Sequence, residues 1–516
     1  MSFPGRHRDS EAGPAPAGSE PSLAKAAVGG VAWVGASYLI TRATLLVSTV
    51  ILARALSPTD FGVYAVALAF ITYAEVVNDL GVVQALILLP GDRRRNDAGL
   101  MVSFSVSALL VTAAMIAAPF VARFFGQPNV GPILRVLSLS LLIRAWGQVP
   151  DAILIRDLRF KERFRANAGR ASIQGAVWIG LAIAGLGVWA LALGYLAGYL
   201  VNSAILWRYV DYRPGRSFWR VRWSTIRPLL TFSAPLVGSV LLLALINDVD
   251  YLIVGRRLGT TALGYYTVAF RVPQMVISNS FLVFSQVLIP VLVRAGLDPL
   301  RLQRGYLRTL RLQTTFGFSA AVGLAVVAPL LVPVLFGARW APAILPMVGL
   351  SLYATVRSLA WGATDVYKAM GRPRLAFLSS FLWLLALVPA LFLGSRLGIE
   401  GVAWSQFGVA LVAALVMHET AIRAMNLSHR RVALALGPAM LAALSTALAA
   451  GAIGLWLPFP GAIRLAAAVI AGAAAGLAVL HMADREYLPR MRALLLPSRT
   501  MTAPQWAEEE EVEAEA

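Results

Sequence analysis

The sequence contains no cysteine. That excludes a disulfide framework, a thiolate metal site and a cysteine nucleophile. Histidine is scarce. His7, His418, His429 and His481 fall in a tail, at helix ends and in a loop, without HExxH or similar ligand spacing, so no metal is expected. Lysine is almost missing: Lys25, Lys161 and Lys368 are the only three, and arginine carries the remaining positive charge. Charged residues of both signs make up 14% of the chain, against about 25% in ordinary soluble domains. No G-x-x-x-x-G-K-[ST] loop is present, so ATP is not the direct energy source, and no Ser/His/Asp arrangement presents itself. No loop exceeds about 20 residues, which leaves no room for a soluble catalytic domain on either side. The chain is therefore not expected to be an enzyme or to need an organic cofactor.

The abundant component is apolar. Of 516 residues, 58% are hydrophobic, and mean hydropathy is +0.71. A soluble fold cannot cover that much apolar surface with so few polar side chains, so the chain belongs in lipid. A spanning helix needs about 20 mostly apolar residues. Such stretches lie at 26–53, 61–82, 98–122, 130–150, 170–186, 188–207, 228–254, 263–292, 311–335, 342–367, 375–394, 398–420, 432–456 and 462–483. The least obvious pair is 170–207, where Gly185-Leu186-Gly187 must act as a tight turn.

The net charge of +19 would suggest nucleic acid in a soluble chain. Here it sits in short loops and reads as topology, so no nucleic-acid partner is expected. With the amino terminus inside, cytoplasmic segments hold 33 of the 45 basic residues and outside loops hold seven. A missed span would invert every later loop and destroy this positive-inside asymmetry. The expectation is an all-α integral membrane protein of about fourteen spans in the plasma membrane, with both termini cytoplasmic. Residues 1–25 read as a disordered tail without a cleavable signal peptide. Residues 484–516 read as a second tail, ending in the acidic run Glu508 to Glu511, Glu513 and Glu515.

The sequence also repeats itself. RALSPTDFGVYAVA (54–67) aligns without gaps to RRLGTTALGYYTVA (256–269), an offset of 202. Phe125-Gly126 recurs as Phe336-Gly337, and Leu186-Gly187 as Leu397-Gly398, both at 211. The period spans six helices, an even number, so the copies share one orientation, as in parallel repeats related by an axis along the membrane normal. Residues 26–227 and 228–424 thus form two six-helix lobes, and 425–483 adds two further helices. A cavity between such lobes is the architecture of alternating-access transport.

Charges within spans cost about 2.5–3.5 kcal/mol each at mid-bilayer on insertion scales. Arg42 lies roughly 18 Å from the outer end of its helix, Arg357 is similarly central, and Arg271 sits about 10 Å in from the outside. Arg144 and Arg135 lie nearer the inner and outer ends of the fourth span. Arginine forks suit phosphate oxygens, so Arg42, Arg271, Arg357 and Arg144 are candidates for a cationic cavity that binds an anionic substrate; Arg135 fits snorkelling better. Glu75 and Asp79 share a helix face at i, i+4. With Asp248, Asp250 and Asp365 they are candidates either for H+ or Na+ coupling or for pairing with the arginines. Asp79, Asp250 and Asp365 also lie near enough to interfaces to be hydrated. The tryptophans, Trp178 and Trp361 among them, fit an interfacial belt or packing.

Three stretches carry a family resemblance: ILARALSPTDFGVYAVALAFITYAEVVNDLGVVQALI (51–87), VPDAILIRDLRFKERF (149–164) and INDVDYLIVGRRLGTTALGYYTVAFRV (246–272). Over about residues 26–424 the chain resembles polysaccharide exporters of the Wzx/teichuronic-acid type within the MOP flippase superfamily. The resemblance implies a V-shaped, MATE-like bundle that moves a polyprenyl-pyrophosphate-linked oligosaccharide to the outer leaflet for cell-surface polysaccharide biosynthesis. It also implies a cationic cavity with arginines in the first and eighth helices, where Arg42 and Arg271 stand. Ion gradients or membrane potential would drive transport, with Glu75 and Asp248 as coupling candidates. Membrane lipids, a polysaccharide polymerase and glycosyltransferases of the same pathway would be partners. The competing readings are a cation-coupled multidrug exporter, which would want an acidic, aromatic cavity, and a membrane glycosyltransferase or polymerase, which would want a long outside loop.

Overall fold

The computed structural model describes residues 44–79, 83, 86–87, 93–215, 245–278 and 299–483. Among these there is no strand. This follows from the composition: in hydrocarbon every backbone N–H and C=O must be paired within the segment, and the helix does so without partners. The helices, in chain order, are α1 (Thr44–Ala55), α2 (Pro58–Asp79), α3 (Arg93–Phe124), α4 (Val130–Arg156), α5 (Phe160–Ile183) and α6 (Val188–Arg208). They continue as α7 (245–257), α8 (Gly259–Pro273), α9 (Pro299–Leu335), α10 (Ile344–Ala369), α11 (Pro373–Gly394), α12 (Gly398–Ala424), α13 (His429–Trp456) and α14 (Gly461–Ala483). Among the described residues nine helical stretches are long and apolar enough to cross a membrane.

The tight turn expected at Gly185-Leu186-Gly187 separates α5 from α6, and both glycines have positive φ (81° and 56°), a conformation that costs L side chains a Cβ clash. Its counterpart 211 residues on, Gly398, opens α12 with φ 79°. The repeat is thus legible in backbone conformation as well as in letters.

Neighbouring helices pack as antiparallel pairs: α3 with α4, α5 with α6, α11 with α12, α13 with α14. α13 and α14 lie against α9. The two copies of the repeat meet along α2 and α8. Small residues bring these helices together. A Cβ added at Gly62 would lie 1.7 Å from the Thr260 carbonyl oxygen, and one added at Gly264 would lie 1.8 Å from the Pro58 oxygen. The two contacts are reciprocal at the repeat offset of 202, so a pseudo-two-fold axis passes between them.

Candidate functional site

Where α2 and α8 diverge below this contact, a cavity of about 170 Å³ opens. Its walls come from α1, α2, α5, α6, α7 and α8. Arg271 and Asp248 are its charged members; Thr49, Thr72, Thr267 and Gln274 add polar groups, and Tyr64, Tyr251 and Trp178 add rings. A guanidinium, a carboxylate and several hydroxyls in an otherwise apolar bundle make an amphipathic chamber suited to a polar ligand. Behind Arg271, α8 passes at Gln274 into a single π-helical turn ending at Ser278, a distortion that frequently marks functional sites.

A seal closes the chamber at the end where α1, α3 and α9 finish. Arg54 at the end of α1 donates to the carbonyls of Val334 (2.6 Å) and Leu335 (3.1 Å) at the end of α9. Arg339 and Trp340 return the contact, both donating to the Ala53 oxygen, the latter at 2.8 Å. On the other side of the axis Arg256, the repeat mate of Arg54, lies over the Phe124 ring at 4.9 Å. Gln127 donates to Thr260 (3.0 Å), and Phe61 and Tyr265 both meet the Trp340 ring edge-on.

The remaining charges divide into two clusters. Arg357 is 3% exposed. Its guanidinium donates to Asn247 Oδ1 (3.1 Å) and Ser278 Oγ (3.3 Å) and stands against the rings of Trp361 (4.7 Å), Tyr353 (5.4 Å) and Phe270 (5.7 Å). It does not line the chamber; it ties α10 to α7 and to the π turn beside Arg271. Asp250, two residues from Asp248, faces away into the core, where it accepts from Tyr266 (2.8 Å) and Gln406 (2.5 Å). It is fully buried, so the expectation of a hydrated interfacial position does not describe it. The second cluster joins Arg144 to Glu75 (3.1 Å) and to the Tyr199 hydroxyl (2.7 Å), with Tyr195 donating to the other Glu75 oxygen (2.8 Å).

Of the other candidates, Asp365 pairs with Lys368 (3.1 Å) and Arg135 is exposed on α4. Arg42 and the side chain of Asp79 lie outside the described residues. Among the described residues no group of three or more His, Asp or Glu could hold a metal ion. Trp178 and Trp361, read from sequence as belt or packing, belong to the chamber wall and the Arg357 cage. The aromatic lining was the part the sequence reading missed. Its signal was there: Tyr64, Leu68, Thr72 and Glu75 recur at i, i+4, i+8 and i+11 along one stripe of α2.

A family model described as a polysaccharide biosynthesis protein matches residues 51–345. The chain is 24% identical over 450 residues to the lipopolysaccharide biosynthesis protein WzxC of Escherichia coli (strain K12), covering 84% of this chain and 89% of that protein. It is 25% identical over 331 residues to the succinoglycan biosynthesis transport protein ExoT of Rhizobium meliloti (strain 1021), covering 63% and 66%. It is 22% identical over 369 residues to the teichuronic acid biosynthesis protein TuaB of Bacillus subtilis (strain 168), covering 69% and 74%. In fold it is similar to the lipid II flippase MurJ in an inward closed conformation, with a TM-score of 0.72 at 13% identity over 88% of this chain and 99% of that one. An inward-facing MATE-family multidrug transporter of the MOP superfamily follows at 0.58 and 15% identity, covering 76% and 94%. The family model spans more than half of the chain, and the protein belongs to this polysaccharide biosynthesis family of multi-pass membrane proteins.

Proposed function

We infer that the protein is a transporter, not an enzyme, and that it flips a polyprenyl-pyrophosphate-linked oligosaccharide from the cytoplasmic to the outer leaflet by alternating access. The observation that carries this reading is the chamber: Arg271 among hydroxyls and aromatic rings, enclosed between the two copies of the repeat. A pyrophosphate and a hydrophilic glycan do not cross hydrocarbon unaided. A polar chamber between lobes shelters both while the lipid tail stays in the bilayer. Membership of the family supports the reading, since WzxC and TuaB are named for cell-surface polymers and ExoT for transport.

The loop charges support fourteen spans, both termini in the cytoplasm of a cell whose plasma membrane holds the protein, and a division at 26–227, 228–424 and 425–483. The sealed end then faces outward. Arg42 would join Arg271 as a pyrophosphate ligand; Asp248, on the same wall, is the best placed carboxylate for H+ or Na+ coupling. Glycosyltransferases and a polymerase of the same pathway would supply and consume the lipid-linked glycan. A multidrug exporter shares the fold, but a chamber that places Arg271 beside the Asp248 carboxylate lacks the net negative charge a cationic drug would want.

The test is glycan export in cells that depend on this protein. Arg42→Ala and Arg271→Ala should each abolish export with protein levels intact. Full export in both variants overturns the pyrophosphate-clamp reading.

A further inference from the structure

Following the chamber-lining helices away from the sealed end leads to a second polar cluster. On α2, Thr72 of the chamber is followed one turn on by Glu75. On α6, Leu191 is followed by Tyr195 and Tyr199. On α5, two turns back from Trp178, stands Arg170. The Tyr199 ring has two guanidinium groups against it, Arg144 and Arg170, each 5.0 Å from its centroid. Glu75 neutralises Arg144. Arg170 has no ion pair among the described residues. The cluster is partly open: the Arg144 side chain is 27% exposed and that of Glu75 is 15% exposed. It is also continuous with the chamber along α2, since Tyr64 and Thr72 line the chamber and Glu75 follows on the same helix.

We propose that Arg144 and Arg170, both against Tyr199, form a first anion site for the substrate pyrophosphate on the cytoplasmic side of the Arg271 chamber, and that Glu75 is a resident anion which the pyrophosphate displaces. This rests on the flippase reading above and extends it. Two arginines stand against one tyrosine and only one of them is paired with a carboxylate, so the cluster keeps a net positive charge. A doubly charged ligand bridging both guanidinium groups offers more hydrogen-bond acceptors than Glu75 alone. Displacement leaves Glu75 held by Tyr195 alone, ready to recapture Arg144 once the pyrophosphate moves on to Arg271. Binding and release are then two states of one ion pair, and the pair prevents the anion from being trapped at its first stop.

The experiment measures binding of inorganic pyrophosphate to the full-length protein in nanodiscs by titration calorimetry. Arg271→Gln serves as background, so that the chamber site is weakened and the first site is read. Pyrophosphate should still bind. Adding Arg170→Gln should weaken that binding about tenfold, with partial recovery in Arg170→Lys, and adding Glu75→Gln should tighten it several-fold while slowing glycan export. Three results overturn the proposal: no residual binding in Arg271→Gln, affinity unchanged by Arg170→Gln, or weaker binding in Glu75→Gln. Each is distinct from failure of the flippase reading, in which wild-type protein binds no pyrophosphate or Arg271→Gln changes nothing. If Arg170→Gln does not fold, Arg170→Lys decides by the same affinity comparison against the background.

Discussion

Thr59 and Thr261 stand 202 residues apart, and their hydroxyls meet at 2.8 Å. They are the same position in the two copies of the repeat, so the bond lies on the pseudo-two-fold axis between α2 and α8. Above the chamber it is the point that rocking of the lobes must open. The chain has no cysteine, so Thr59→Cys with Thr261→Cys introduces a single possible intramolecular disulfide at a separation compatible with one. Oxidation should stop glycan export, and reductant should restore it. Full export with the bond formed, quantified by gel shift, would show that α2 and α8 need not part.

Gly62 and Gly264 test the same closure from the opposite direction. A methyl at either would run into backbone of the partner helix, which cannot yield as a flexible side-chain tip can. Gly62→Ala and Gly264→Ala should therefore push the seal apart and bias the protein outward-open. A cysteine placed at Thr267 in the chamber should then react several times faster with an impermeant thiol reagent added outside. The symmetry of the contacts demands that both variants behave alike; a response from only one would mean that the seal is not two-fold.

Much of this arrangement was legible in the sequence because its determinants are local. Hydropathy and loop charge depend on composition, and the matched RALSPTDFG and RRLGTTALG blocks announced the repeat. Arg271 and Asp248 stand out in the sequence because an ionisable group in an apolar span is conspicuous. What each charge faces was not legible. Arg357 and Arg271 look alike in sequence, yet one is caged by Phe270, Tyr353 and Trp361 and the other lines the chamber. That difference is fixed by helix rotation, which arises from packing between distant segments. The Arg54 seal escaped for the same reason: its acceptors lie some 280 residues away, and no periodicity within α1 can reveal them.

The two arginines should accordingly fail in different ways. Arg357→Ala removes two hydrogen bonds and three ring contacts from a buried site. Ring contacts to a desolvated cation are worth about 2 kcal/mol each, and hydrogen bonds to charged groups about 1.5–3. Part of that is offset by the relief of burying a charge, leaving a net loss of roughly 2–4 kcal/mol. Arg357→Ala should lower the midpoint of thermal unfolding by several degrees, with export falling in step. Arg271→Ala should abolish export with a smaller fall in midpoint. Equal midpoints for the two variants would remove the distinction drawn between cage and chamber.

Asp248 and Asp250 make the complementary comparison, because residues two apart on a helix point about 200° away from each other. Asp248 meets the chamber, whereas Asp250 is held by Tyr266 and Gln406 in the core. Asp250→Leu leaves the buried Tyr266 hydroxyl without its acceptor and Gln406 with only the Tyr266 oxygen at 3.2 Å, at about 1–3 kcal/mol for an unsatisfied buried group, so its main effect should be on folding. Asp250→Asn keeps an acceptor for Tyr266 and should cost less. Asp248→Asn should leave stability nearly unchanged, since the side chain is half-buried and borders a cavity. If Asp248 couples an ion to transport, that variant should flatten the dependence of export on pH or on sodium. Export assayed across both variables in inverted vesicles separates the two roles. A flattened dependence in Asp250→Asn together with a normal one in Asp248→Asn would transfer the coupling role from the chamber wall to the core.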